Sequence, residues 1–92
     1  MKPLSMHKIS LSSQSVEDMV DFTRSQPKLL SKIAVLLESI SKTPFEGIGK
    51  PEPLKHDFAG CWSRRLDNEH RVIYFIKDDT IYIISFRGHY HD

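Results

Sequence analysis

Residues 61–87 read CWSRRLDNEHRVIYFIKDDTIYIISFR, and this stretch sets the architecture of the chain. Three segments have the β-branched and aromatic content or the alternation typical of strands. They comprise residues 61–66, 70–77 and 80–87. The links between them are two or three residues long and rich in Asp and Asn, as in hairpin turns. Because strands joined by hairpins are antiparallel neighbours, the C-terminal half predicts an antiparallel sheet.

The segment preceding this sheet predicts a pair of helices. Residues 27–42 carry a broad apolar stripe at helical spacing, formed by Leu29, Leu30, Ile33, Leu36, Leu37 and Ile40. Pro27 suits the first turn of this helix, where a backbone N–H would have no partner. An earlier helix begins after the N-cap candidates Ser12, Ser13 and Ser15, and its predicted apolar face comprises Val16, Met19, Val20 and Thr23. The two helices should form a hairpin.

The remaining segments complete the order of elements. Residues 7–12 alternate polar and apolar side chains, which predicts a short strand with Ile9 and Leu11 facing inward. Residues 43–53 hold three prolines and two glycines, so an extended, stiff loop is expected, leading into a strand at 54–58. The predicted fold is α+β, in the order β-α-α-β-β-β-β. The helix hairpin packs on one face of an antiparallel sheet, within a single domain over residues 1–92.

The composition excludes several classes of protein. The chain has 92 residues, with thirteen Lys and Arg against twelve Asp and Glu. This balance gives no general affinity for nucleic acid, so any such partner must be recognised by local clusters. There is no membrane-length apolar run and no signal-peptide pattern, and the lone Cys61 cannot form an internal disulfide. We therefore expect a cytoplasmic protein with no membrane partner.

Hairpin geometry predicts where ionisable side chains meet. The last strand runs antiparallel to the strand holding Arg71, so its end should lie beside the start of its neighbour. This places Arg87, His89 and Tyr90 near Arg71. Glu52, fixed between two prolines, could complete the group. A carboxylate, an arginine and a histidine together suit proton transfer beside a phosphate.

The motifs that carry this chemistry resemble the YoeB/Txe family of toxins, within the RelE-like superfamily of bacterial toxin–antitoxin systems. The resemblance is dense over roughly half of the chain. It comprises residues 43–56 (TPFEGIGKPEPLKH), 62–65 (WSRR), 69–74 (EHRVIY) and 89–90 (HY). It implies a small ribonuclease that cuts mRNA within the ribosomal A site, using no metal and no cofactor.

Roles carried over from the family fall on matching positions. Glu52 matches the general base that takes the proton of the ribose 2′-OH. Arg71 matches the arginine that stabilises the charged transition state, and His89 matches the general acid that protonates the 5′-oxygen. The resemblance also implies a YefM-like antitoxin partner, operator DNA bound through the toxin–antitoxin complex, and a homodimer.

Three further positions match residues that hold the substrate. Tyr90 corresponds to the terminal tyrosine that helps to position the RNA. Lys55 and Arg65 correspond to supporting contacts with phosphate.

Each assignment has a simpler alternative. Glu52 could be a solvated loop carboxylate. Arg64 shares a strand face with apolar residues, which favours a structural charge paired in the neighbouring turn over a catalytic role. His70 fits turn hydrogen bonding and substrate contact equally. Cys61 has no clearly placed basic partner, which favours a packed residue over a nucleophile. The spacing of His89 with the two residues that end the chain is too generic for a metal site.

The sequence departs from the family pattern in three places. Gly88 stands where a bulky residue often precedes the histidine, which predicts a looser backbone at His89. The chain continues beyond Tyr90 with two more residues, and Cys61 replaces a residue that is often aromatic.

Two other functions remain open from the sequence. The same fold could poison a different target, as the ParE-like relatives do with DNA gyrase, although those relatives lack the Glu/Arg/His set. The chain could also be a degenerate toxin kept for antitoxin binding and operon repression.

Overall fold

The computed structural model describes residues 6–88, which form two α-helices and five strands. In chain order these are β1 (Lys8–Leu11), α1 (Ser13–Ser25), α2 (Lys28–Lys42), β2 (Glu52–Pro53), β3 (Trp62–Arg65), β4 (Arg71–Lys77) and β5 (Thr80–Gly88). The order β-α-α-β-β-β-β and the α+β class are confirmed. Neither helix of residues 6–88 is long and apolar enough to span a membrane.

The five strands form one sheet in the order β1-β5-β4-β3-β2. The expectation of an antiparallel sheet holds for β2 to β5 and is corrected at β1, which pairs parallel to β5. Hairpin turns dictate the direction of β3, β4 and β5 only. The strand β1 lies at the other end of the chain from β5, and both helices and three strands separate them in sequence. No turn therefore constrains the direction of β1.

The β4–β5 turn is as tight as the sequence predicts. Asp78 and Asp79 both have positive φ, at 51° and 63°. Positive φ at both central residues is the mark of a type I′ hairpin, whose twist matches that of the strands it joins. Asp tolerates this conformation better than most residues do.

The hydrophobic core lies between the helices and one face of the sheet. From α2 it takes the predicted stripe, with Leu29, Ile33, Leu36 and Ile40 buried and Leu30 and Leu37 packed against them. The sheet contributes Leu66, Val72, Tyr74, Ile81, Ile83 and Phe86. The opposite face of the sheet carries the polar residues discussed below together with Ile73 and the stacked rings of Phe75 and Tyr82.

The predicted face of α1 is confirmed at Met19, which packs against the core, and is wrong at Val16, Val20 and Thr23, which are exposed. Val16 and Val20 are each 46% exposed, while Ser15, Asp18 and Phe22 are buried. The two polar residues are tolerated because each is hydrogen-bonded. Ser15 Oγ donates to the carbonyl of Ser12 at 2.8 Å, and Asp18 Oδ2 accepts from the N–H of Phe86 at 2.9 Å.

The segment after α2 also differs from its prediction. Residues 43–51 form a series of turns and not an extended loop. The predicted strand at 54–58 is wrong, since the pairing lies at Glu52–Pro53 and a short 3₁₀ turn follows at His56–Phe58. His56 has a φ of 57°, a conformation that a continuous strand does not allow.

Candidate active site

Glu52 lies on β2, a two-residue strand at the edge of the sheet. Proline is accepted at a sheet edge, where a missing N–H breaks no ladder bond, so Pro51 and Pro53 can fix the backbone on both sides of Glu52. The strand pairs with β3, and Glu52 faces Ser63. The side chain of Glu52 is 49% exposed. The carboxylate therefore sits on a restrained backbone and remains open to a substrate.

Arg71 brings a guanidinium to this carboxylate. It is the first residue of β4, and its Nη1 lies 3.3 Å from Glu52 Oε1. The two residues are nineteen positions apart in sequence, and the antiparallel pairing of β2, β3 and β4 brings them together. The sequence-predicted meeting of Glu52 and Arg71 is thus present in the structure.

A second arginine adds to the positive charge. Arg65 ends β3 directly opposite Arg71 in the β3–β4 register and is exposed. Like charges facing each other across an antiparallel pair repel, so this placement costs stability unless an anion lies between or beside them. Glu52 supplies one anion, and a phosphate would supply another. The arrangement favours a site for a phosphodiester.

The other predicted residues are only partly covered by the structure. Lys55 is exposed, and within residues 6–88 its side chain makes no hydrogen bond or ion pair. His89 and Tyr90 lie outside the described residues, and so do the two residues that follow them. The last described residue, Gly88, pairs with Arg71, so the predicted approach of the end of β5 to the start of β4 is confirmed.

Arg87 does not join this cluster. Its guanidinium forms an ion pair with Asp21 at 3.2 Å and lies over the ring of Phe22, on the helix side of the sheet. Successive residues of a strand point to opposite faces, so Arg87 turns away from the face that carries Arg71.

Two adjoining cavities open beside the arginines. The smaller, of about 170 Å³, is polar and lined by Arg65, Asp67, Asn68, Glu69 and Arg71. The larger, of about 480 Å³, shares the first three of these and extends to an apolar wall of Val35, Leu36 and Ile48. The smaller cavity is large enough for a phosphate group, and the carboxylates of Asp67 and Glu69 line it together with the two arginines.

Comparison with known proteins identifies the family. A family model described as YoeB-like toxin of bacterial type II toxin-antitoxin system matches residues 11–90. A toxin YoeB from Synechocystis is 47% identical over 83 residues, covering 90% of this chain and 96% of that protein. The chain belongs to the family of YoeB-like toxins.

Solved structures from Staphylococcus aureus agree with this assignment. A YoeB dimer is 42% identical, with a TM-score of 0.83 over 92% of this chain and 99% of that one. A YoeB chain in a heterotetrameric YoeB-YefM toxin-antitoxin complex is 42% identical, with a TM-score of 0.80 over 91% and 98% of the two chains. The whole described fold is thus that of a YoeB-like toxin.

Gly88, the departure from the YoeB pattern next to His89, is closely packed. A Cβ built on Gly88 would lie 2.4 Å from Cγ1 and 2.9 Å from Cδ1 of Ile73. The side chain of Ile73, only 4% exposed, occupies the space that a side chain at position 88 would need. Ile73 therefore fills the gap that the missing side chain leaves, and the predicted effect on the placement of His89 concerns a residue outside the described ones.

Changing Gly88 to alanine should destabilise the fold. The Cβ overlap forces Ile73 or the end of β5 to move, at a cost of about 1–3 kcal/mol. This exceeds the roughly 0.4–1 kcal/mol that alanine gains by restricting the unfolded chain. Denaturant unfolding of the purified variant measures the loss directly.

A double-mutant cycle tests the cause of that loss. Ile73→Ala removes the atoms that Gly88→Ala would meet, so alanine at 88 should cost little in that background. The two substitutions should couple by at least about 1 kcal/mol. An equal cost of Gly88→Ala in both backgrounds would show that Ile73 is not the obstacle.

The structural alternative for Arg64 is confirmed, but its partners are not the acidic residues of the neighbouring turn that the sequence predicted. Its side chain is fully buried and donates from every guanidinium N–H, to Tyr74 Oη and to four acceptors on residues 39–48. It forms no ion pair with the neighbouring turn. Its position between Trp62 and Leu66 on the core face was the available signal, and it indicates burial. Burial raises the pKa of the Tyr74 hydroxyl above its ordinary value, against the opposing effect of the Arg64 charge.

His70 is a structural residue of the turn before β4. It is 2% exposed, its Nδ1 lies 3.1 Å from Asp67 Oδ1, and its ring packs edge-on against Phe22. Partial burial acts to raise the pKa of Asp67, but hydrogen bonds from the backbone N–H groups of His70 and Glu69 and from the His70 ring outweigh it and hold the pKa below its ordinary value. The alternative of turn hydrogen bonding is the one that the structure supports.

Cys61 fits the packed alternative. Burial raises the pKa of its thiol above the ordinary value, which opposes the thiolate that a nucleophile needs.

Proposed function

We propose that this chain is an endoribonuclease that cuts ribosome-associated mRNA without a metal ion and so inhibits translation. The observation that carries the proposal is the 3.3 Å contact between the Glu52 carboxylate and Arg71, on a face where Arg65 stands opposite Arg71. When a ribose 2′-OH attacks the neighbouring phosphate, a base must take its proton and fixed cations must stabilise the charge that develops on the phosphate. Glu52 and the two arginines supply these groups.

The proposed reaction is a transesterification. Glu52 accepts the proton of the 2′-OH, and the oxygen attacks the adjacent phosphorus. The bond from phosphorus to the 5′-oxygen then breaks, and His89 donates the proton that this leaving group needs. The products are a 2′,3′-cyclic phosphate and a free 5′-hydroxyl, with no external water consumed.

The arginines supply the electrostatic part of catalysis. Negative charge builds on the non-bridging oxygens in the transition state, and a guanidinium can donate two parallel hydrogen bonds to them. Arg71 must exchange the Glu52 carboxylate for the phosphate, which leaves the carboxylate available as base. Arg65 and Lys55 contact flanking phosphates, and Tyr90 positions the RNA.

Substrate delivery by the ribosome fits the flat charge of the chain. Because the chain has a formal net charge of only +1, it attracts free mRNA weakly. In this proposal the ribosomal A site, in the cytoplasm, presents the mRNA to the toxin. Inhibition comes from a YefM-like antitoxin, as the heterotetrameric YoeB-YefM complex of the S. aureus relative supports. The S. aureus YoeB dimer supports a homodimer of this chain. In this proposal, the complex of the chain with its antitoxin also binds operator DNA.

Cleavage in a translating extract tests the proposal. Wild-type protein should cut the mRNA, and primer extension should detect the new ends. The upstream fragments should end in a cyclic phosphate. A chelator should not change the amount of cleavage. Glu52→Gln keeps the size of the side chain, loses the base, and should lower the rate by about 10²–10⁴-fold. A 2′-deoxy residue at the cleaved position should abolish the cut.

Two outcomes would contradict the proposal. Intact mRNA together with inhibited DNA gyrase would indicate a ParE-like poison. Intact mRNA together with tight antitoxin binding and operator repression would indicate a degenerate toxin.

A further inference from the structure

Ser63 carries a buried hydroxyl without a partner. The residue is 0% exposed, and among residues 6–88 its Oγ is the one buried side-chain polar atom with no hydrogen bond. Buried hydroxyls are nearly always bonded, since losing water without gaining a partner costs stability. An exception in a native fold calls for an explanation.

The position of Ser63 connects it to the proposed base. On β3 it lies opposite Glu52 of β2 and opposite Ile73 of β4. Its side chain therefore points to the same face of the sheet as Glu52 and Arg71, away from the helices. Directly opposed residues in an antiparallel pair have Cβ atoms roughly 4.5–5.5 Å apart, which is within reach of a Ser–Glu hydrogen bond.

Arg71 accounts for the bond not being made. The Glu52 carboxylate is directed towards Arg71, two residues along β4 from Ile73, and accepts from its Nη1 at 3.3 Å. When Arg71 turns to a phosphate, the carboxylate loses this donor. The hydroxyl of Ser63, opposite Glu52 on the neighbouring strand, is then a donor within reach. A charged carboxylate accepts a stronger hydrogen bond than a neutral oxygen does.

We propose that Ser63 is a positioning residue for Glu52: its hydroxyl donates a hydrogen bond to the carboxylate in the cleavage-competent state and fixes the orientation of the base. This inference rests on the proposed function, in which Glu52 accepts the proton of the 2′-OH. Ser63 acts through Glu52 and touches neither the phosphate nor the ribose.

Kinetics with Ser63→Ala give the first test. The rate constant kcat should fall by roughly 10-fold, because the base is less well oriented, while KM should stay within about twofold. A hydrogen bond to a carboxylate favours its charged form, so losing it should move the acidic limb of the pH–rate profile upward by roughly one unit. Ser63→Thr keeps the hydroxyl and should restore most of kcat.

The charged groups around Glu52 are the same in the wild-type protein and in Ser63→Ala. Arg71 on β4 forms an ion pair with it, Arg65 on β3 lies opposite Arg71, and Lys50 and Lys55 flank it along its own segment. Serine and alanine are both neutral, so a shift of the acidic limb reports the hydroxyl. An unchanged kcat and an unchanged acidic limb in Ser63→Ala would overturn the proposal.

Stability separates positioning from a structural role. Removing an unpartnered buried hydroxyl should not lower the Tm of the free protein, and a small rise is expected. The matched control is Ser41→Ala, since Ser41 is 1% exposed and donates to the carbonyl of Glu38 at 2.8 Å. That variant should lose stability and keep kcat. A loss of Tm in Ser63→Ala that parallels its loss of kcat would refute the positioning role.

A crystal structure of Arg71→Ala tests the inference without any assay of RNA cleavage. With the guanidinium gone, the distance from Ser63 Oγ to a Glu52 carboxylate oxygen should fall to about 2.5–3.0 Å. A distance above roughly 3.5 Å would overturn the proposal even if the protein is a ribonuclease. Conversely, failure of wild-type protein to cut mRNA, with the short distance present, would refute the proposed function and leave the contact standing.

Discussion

Replacing Arg71 with alanine should lower kcat for mRNA cleavage by about 10³-fold and leave the fold intact. The expected loss is large because the guanidinium meets charge that develops only in the transition state. The expected stability change is within about 1 kcal/mol, because the ion pair with Glu52 joins side chains that are 22% and 49% exposed. Single-turnover cleavage and denaturant unfolding of the same preparation separate the two effects.

Two variants sharpen this prediction. Arg71→Lys keeps the charge but loses the planar pair of donors, so kcat should lie between the wild-type and alanine values. Arg87→Ala is the matched control, because Arg87 also lies near the end of a strand and forms an ion pair at 3.2 Å, with Asp21 on the helix side. It should keep kcat. A loss below tenfold in Arg71→Ala would remove Arg71 from the catalytic machinery.

The surroundings of Glu52 and Arg71 show which parts of the site could be predicted from sequence patterns and which could not. The strand segments and their short turns predicted that the end of β5 meets the start of β4, and Gly88 does pair with Arg71. The meeting of the two strand ends therefore followed from the sequence, but the pairing of Gly88 with Arg71 depends on two register shifts between Arg71 and Tyr74 that the turn does not predict. The placement of Glu52 followed from its two flanking prolines together with the family resemblance, since a strand of two residues has no periodicity to detect.

The errors share a physical cause. On α1, hydrophobicity favoured a face with Val16 and Val20, yet the fold buries Asp18, which accepts from the N–H of Phe86 on β5. A hydrogen bond between residues 68 positions apart leaves no local signal. The unpartnered hydroxyl of Ser63 is likewise a property of three strands together, and a serine within a strand pattern does not reveal it.

Gly88 illustrates the same limit at a family position. In the sequence it is a missing side chain, from which a looser backbone follows. In the structure the missing volume is filled by Ile73, from the neighbouring strand. Which residue compensates depends on strand register, so a departure from a family pattern is interpretable only when its cross-strand partner is known.

Arg64→Ala should cost about 3–5 kcal/mol of stability, the largest loss expected from a single substitution in this chain. Arg64 is fully buried and spends all five guanidinium N–H donors on the fold. The shortest of these contacts reaches the carbonyl of Thr43 at 2.6 Å, and another reaches that of Glu46 at 2.9 Å. Removing the side chain leaves these acceptors without a donor and creates a cavity.

The same substitution should weaken catalysis through the chain segment that Arg64 holds. The turns bound by Arg64 run from Thr43 to Ile48 and lead directly to the strand of Glu52. Freed from Arg64, this segment should let the carboxylate drift from Arg71, and a misplacement of about 1 Å can cost roughly 10²-fold in rate. Stability and kcat should therefore fall together, unlike in Arg71→Ala, where only kcat falls.

The adjacent residue provides the control for Arg64. Arg65→Ala removes the same type of side chain one position along β3, where it is exposed, and should change stability by no more than about 0.5 kcal/mol. Because a domain of this size has about 5–10 kcal/mol in total, Arg64→Ala could be largely unfolded, so Arg64→Lys serves as the milder variant. Lysine has three donors in place of five and should cost roughly 2 kcal/mol. Equal stabilities of Arg64→Lys and wild-type protein in denaturant unfolding would show that the hydrogen bonds of the guanidinium do not hold the segment leading to Glu52.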